Sequence, residues 1–216
     1  MNPHFEEAAD QARKTFDIYT ERRDGALTQA RLLIRHCAHA IRAVHRSDRP
    51  DAEKELQEAR ELVITLREGL KESPQIFYAG YTQDALKEYA EASLVFALIF
   101  DEIIPTPVDL ELSCDIYLQG LAEANGELRR RCLDILRHGY SEEAERLMGI
   151  MDDIYGVLVT MDYSEAITGG LRRLTDIVRG INERTRADLT IILRQSHLEE
   201  SIKSWEEKME NAQRSF

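Results

Sequence analysis

The chain has 216 residues, a mass of 24.9 kDa, 43% hydrophobic residues and a formal net charge of −12. That length supports a sizeable core and one domain over residues 1–216, while the acidic balance excludes a generic nucleic-acid coat, because phosphate binding needs a positive surface that releases counterions. No apolar run approaches the ~18 residues of a membrane-spanning helix.

Taken in chain order, the first segment, Met1-Asn-Pro-His-Phe-Glu-Glu, carries no basic-then-apolar signal pattern, which predicts a cytoplasmic protein. Proline inside a helix costs ~3 kcal/mol, so Pro3, Pro50, Pro74, Pro105 and Pro107 mark boundaries. Between them the pattern predicts helices over 5–46, 51–71, 76–102, 111–138, 141–161 and 164–197, then a polar tail over about 199–216. Apolar positions recur at helical spacing: Leu32, Ile34, Cys37, Ala38, Ile41 and Val44 in the first helix, and Leu147, Ile150, Met151, Ile154 and Leu158 in the fifth. Start signals stand at Asp51 behind Pro50, Ser141 behind Gly139, and Ser164 behind Asp162. Pro105-Thr-Pro107 is the clearest interior break, and Gly169-Gly170 reads as a helix irregularity. No strand pattern competes, so the expectation is an all-α bundle of about six to seven long antiparallel helices.

Two pairs of acids interrupt segments that otherwise read as buried helix. Glu88 and Glu91 precede the apolar run Ser93-Leu-Val-Phe-Ala-Leu-Ile-Phe100, and Glu123 and Glu127 lie among Gly120, Ala122, Ala124 and Gly126. Spacings of three and four put each pair on one helix face. With 40 acidic residues in the chain, chance alone supplies about seven such pairs at a spacing of three, so a solvated helix face is one reading. The small neighbours permit close backbone approach, and clustered acids that lose water want a cation, which is the other.

Other chemistries fit poorly. The residues three before the six histidines are Met1, Leu33, His36, Arg42, Ile135 and Arg194, so the Glu-x-x-His repeat of ferritin-like di-iron bundles is absent. His36 and His39 share a helix face, but two histidines without a third ligand make a weak metal site. There is no GxxxxGK[ST] phosphate loop and no GxSxG elbow. Cys37, Cys114 and Cys132 form no CxxC, which predicts reduced thiols in or near the core. Of the 28 basic residues 22 are arginine, the better bidentate phosphate ligand; Arg129-Arg-Arg131, Arg172-Arg173 and the run from Arg42 to Arg49 are where phosphate contacts would be sought, although genome composition or salt-bridged helix faces account for them more simply.

The stretch Ile116-Tyr-Leu-Gln-Gly-Leu-Ala-Glu-Ala-Asn-Gly-Glu-Leu-Arg-Arg-Arg-Cys132 resembles the YLxGLAxxxGELxRxC segment of the translin and translin-associated factor X family. Leu86-Lys-Glu-Tyr-Ala-Glu-Ala92 is similar to that family's LQEYVEA motif, in the matching order, and weaker likeness covers most of the chain. The resemblance implies a translin-like helical bundle and, because the acidic set is present, the catalytic factor X-like type: a Mg²⁺- or Mn²⁺-dependent endoribonuclease acting on single-stranded RNA. Glu88 and Glu91 match the glutamates of EYxEA, Glu127 that of GEL, and Arg130 the arginine of GELxR, a position for phosphate contact or a salt bridge. Glu123 falls where the factor X pattern carries an aspartate, and the resemblance implies Glu88, Glu91 and Glu127 as direct metal ligands with Glu123 as a ligand or water-orienting base. The resemblance further implies a hollow homo-oligomer, an octamer as in the family, that encloses RNA; the alternative is a non-catalytic RNA-binding scaffold of translin type.

Overall fold

A computed structural model describes residues 2–213. Among the described residues it holds eight helices and no strand: α1 (Pro3–His45), α2 (Arg49–Leu70), α3 (Pro74–Phe77), α4 (Gly80–Phe100), α5 (Cys114–Leu136), α6 (Glu142–Val159), α7 (Glu165–Thr168) and α8 (Leu171–Gln213). The chain is all-α, with six long helices and two of a single turn. Among the described residues no helix is long and apolar enough to cross a membrane.

Local chemistry explains where the elements depart from the sequence pattern. The helix expected over 76–102 is broken at Tyr78-Ala79 because side chains satisfy carbonyls that a continuous helix would use: the Thr82 hydroxyl donates to Ile76 O at 3.0 Å and Gln83 Nε2 donates to Phe77 O at 2.8 Å. α4 ends at Asp101, whose left-handed backbone (φ 56°) lets its N–H reach Ala97 O. Asp48, not Asp51, caps α2, whereas Ser141 and Ser164 cap α6 and α7 as the sequence indicates. Gly169 and Gly170, at φ 60° and 86°, separate α7 from α8. The expected polar tail is instead helical through Gln213, its last three residues lying outside the described ones.

Packing divides the chain into two compact units, one through Gly120 and one from Leu121 onward; the division falls inside α5, itself one unbroken helix. In the first unit α1 packs along α2 and α4. Its core is built from Leu33, Val44, Leu66, Leu94 and Val95, side chains whose full burial contributes about 1.5–3 kcal/mol each. The buried stripe of α1 runs through Leu33, Cys37, Ala40, Ile41 and Val44, while Ile34 is 37% exposed. The consecutive Leu32-Leu33-Ile34 leaves spacing unable to choose which of the three points inward. From Ala90 to Val95 α4 is buried on every side, and apart from Glu91 its residues there are apolar or small.

In the second unit α6 packs against α8, around Leu128, Leu147, Met151, Leu158, Leu171 and Val178. A polar seam crosses this core: Asn125 Nδ2 donates to Asn182 Oδ1 at 2.9 Å, and Asn182 Nδ2 donates to Met151 O at 2.7 Å. Cys37 and Cys132 are buried and Cys114 is exposed, so one thiol departs from the expected core placement.

Candidate metal centre

Glu88 and Glu91 are one turn apart on α4, at the edge of its fully buried stretch. Glu91 is buried and Glu88 half-buried. Their charge is felt beneath them: burial above all, and then the negative charge of Glu88 and Glu91, pushes the Cys37 thiol on α1 far up from its ordinary value. A carboxylate this enclosed needs cations or donors around it.

What brings α5 close to these acids is a missing side chain. A Cβ placed on Gly120 would lie 2.6 Å from Ala90 Cβ, 2.9 Å from Glu91 N and 3.0 Å from Lys87 O, so backbone meets backbone at this point. Glu123 follows Gly120 by one turn of the same helix and shares its face. One carboxylate oxygen from each of Glu88, Glu91 and Glu123 accordingly lies within 4.8 Å of the other two. Gly126, which the sequence pattern grouped with Gly120, has open space where its Cβ would be.

Glu127, on the next turn, stands outside that group of three and faces Arg130, whose Nη1 is 3.5 Å from its Oε2. The remaining arginine clusters are largely engaged within the chain. Arg129 donates to Thr185 Oγ1 at 2.8 Å and to Asp188 Oδ2 at 3.0 Å. Arg46 pairs with Asp51, and Arg49 with Glu53 and Glu102 while lying over the Phe96 and Phe100 rings. Arg172 lines a cleft of the second unit with Tyr155, Tyr163 and Arg179. Sequence reasoning missed the Asn125–Asn182 pair and the commitment of Arg129, since partners nearly 60 positions away leave no local signal.

No family model matches the chain. It is 34% identical over 183 residues, 84% of this chain and 81% of the relative, to an uncharacterised protein of Methanocaldococcus jannaschii. Among solved structures it matches AfC3PO in complex with duplex RNA, with 30% identity, a TM-score of 0.81, and coverage of 87% of this chain and 97% of the other. The crystal structure of AfC3PO gives a TM-score of 0.80 at 30% identity, covering 87% of this chain and 98% of the other. The chain belongs to the translin (C3PO) family. Its fold is shared with apo-NeC3PO, at 23% identity and a TM-score of 0.77, over 88% of this chain and 97% of that one.

Proposed function

We propose that this chain is a metal-dependent endoribonuclease of the factor X-like type within the translin family, cutting RNA internally. The observation that carries this reading is the convergence of Glu88, Glu91 and Glu123. Their spacing suits a hard dication. Oxygen ligands sit ~2.0–2.1 Å from Mg²⁺, so neighbouring ligand oxygens are about 2.9 Å apart and opposite ones about 4.2 Å, which three oxygens within 4.8 Å reach by small side-chain rotations. Bound there, Mg²⁺ or Mn²⁺ would supply Lewis acidity and a water acidic enough to act as nucleophile near neutral pH.

The chain's own residues do the rest. Buried Glu91 fixes the position of the site, and half-buried Glu88 and Glu123 close around it from the side reached by solvent. Glu127 is the fourth acid, held by Arg130, and it takes the proton of the attacking water once a phosphate engages the guanidinium. Arg130 provides two parallel N–H donors for a pair of non-bridging phosphate oxygens. That AfC3PO is found with duplex RNA supports RNA as the polymer held.

The active particle is a homo-oligomer, an octamer by family resemblance. Supporting this are apolar side chains that the chain does not cover: Phe5 and Phe16 on α1, and Leu198, Ile202 and Trp205 on α8, each 49–70% exposed. The deciding experiment incubates the purified protein with end-labelled single-stranded RNA in Mg²⁺, Mn²⁺ or chelator. Internal products with either metal and none in chelator are expected. Binding without cutting under every metal condition would instead establish the non-catalytic scaffold.

A further inference from the structure

The fold supplies what the sequence left missing beside His36 and His39. Both lie on one face of α1, and α2 brings Glu55 against them: His36 Nδ1 is 2.7 Å and His39 Nδ1 3.7 Å from the same oxygen, Glu55 Oε2. Glu55 and His36 are largely buried, their side chains 14% and 22% exposed, while the His39 ring is 45% exposed and free to turn. We propose that His36, His39 and Glu55 form a second metal site, selective for Zn²⁺-class dications and separate from the acidic centre.

Three points support it. Two imidazole nitrogens converge on one carboxylate oxygen, a donor set that suits zinc, cobalt, nickel and copper, whereas the all-carboxylate centre suits magnesium and manganese. With ligand bonds of ~2.0–2.1 Å, the corners of a tetrahedral zinc site are about 3.3 Å apart. The two observed separations from Glu55 bracket that value, and binding an ion further requires the exposed His39 ring to turn so that its nitrogen closes on that of His36. The 3.7 Å contact is too long for a hydrogen bond, so hydrogen bonding alone explains the placement of His36 but not of His39. Three protein ligands leave the fourth position for water. The ion would clamp α1 to α2, the pairing that carries Cys37 beneath Glu88 and Glu91.

Co²⁺, a spectroscopic substitute for zinc, separates this site from the acidic one. The full chain is titrated with Co²⁺ in a background carrying Glu88→Gln, Glu91→Gln and Glu123→Gln, so that only the histidine site remains. Visible d–d bands of tetrahedral intensity saturating at one equivalent per chain are expected, displaced by Zn²⁺. His39→Ala, at an exposed position that leaves the α1 core intact, should abolish the bands, and Glu55→Gln should weaken Zn²⁺ binding at least about 10-fold, the scale seen on losing even a supporting partner. Parallel thermal scans should show a Zn²⁺-induced rise in Tm that both variants lose. Absence of the Co²⁺ bands in that background, or bands and Zn²⁺ affinity unchanged by His39→Ala, would overturn the proposal and leave a plain His36–Glu55 hydrogen bond.

Discussion

Gly120→Ala tests the contact on which the acidic centre depends. The added methyl group would meet Ala90 Cβ at 2.6 Å and two backbone atoms of α4 at 2.9 and 3.0 Å. Carbon atoms rest at ~3.5–4.0 Å, so α4 and the turn of α5 carrying Gly120 must separate by about 0.9 Å or more, and backbone atoms cannot swing aside as a side-chain tip would. Overpacking of this kind costs about 1–3 kcal/mol, offset by about 1 kcal/mol from replacing glycine with alanine inside a helix. The net loss is therefore about 0–2 kcal/mol, a fall in Tm of no more than about 8 °C at 2–4 °C per kcal/mol. Function should suffer more than stability. A displacement near 1 Å at Glu123 relative to Glu88 and Glu91 costs about 100-fold in rate. RNA cleavage in saturating Mg²⁺, calorimetry, and the Mg²⁺-induced Tm shift measured on the same preparations give the three readouts. Gly126→Ala serves as the control on the same helix, because its Cβ meets nothing within 4 Å and the change should be neutral or stabilising. A Gly120→Ala protein with wild-type cleavage and an unchanged Mg²⁺-induced shift would refute the reasoning.

Glu88→Gln, Glu91→Gln and Glu123→Gln, made singly, should each abolish cutting and diminish the stabilisation by Mg²⁺, while metal-free Tm stays level or rises because mutual repulsion is relieved; variants that melt early yet keep cutting would show the acids to be structural. Asn182→Ala strips the donor to Met151 O and leaves Asn125 Nδ2 without its acceptor, so urea denaturation should report a loss of about 1–3 kcal/mol. Glu143 is held below its ordinary 4.5 chiefly by its hydrogen bonds to Arg146. The stability it contributes is thus present above pH 4.5 and lost as pH falls through the lowered folded value, and because the pair is partly exposed the effect is below about 1 kcal/mol. Arg146→Gln should flatten that part of the stability-versus-pH curve, and an unaltered acid limb would count against the pairing.

Much of this was legible in the sequence, for reasons that also mark where legibility stops. Helix boundaries at Ser141, Ser164 and the prolines follow from local cap chemistry, and local chemistry is what a linear pattern records. The break at Tyr78-Ala79 was not readable, because it depends on Thr82 and Gln83 reaching back across six residues. The helical continuation of α8 was obscured by its polar composition, although Leu198, Ile202, Trp205 and Met209 keep helical spacing. At the site, the spacing of Glu88 and Glu91 placed them on one face, but the close approach of α5 to α4 at Gly120, which lets Glu123 join them, is a tertiary contact that spacing does not record. The separation of Glu55 from His36 by 19 positions carries no periodic signal, so the third donor emerges only from the packing of α2 on α1.

The three thiols differ in a way that gives the experimenter a handle. Burial, followed by the charge of Glu143, lifts Cys132 to about 11, and Cys37 is lifted further, so near neutral pH both are protonated and poor nucleophiles. Cys114, at the first residue of α5, is exposed. A limiting amount of maleimide should therefore attach at one atom per subunit without any cysteine having to be engineered away. A fluorophore or spin label placed there reports from the helix that carries Glu123, and in a symmetric particle it yields one set of label-to-label distances from which the number and arrangement of subunits can be counted.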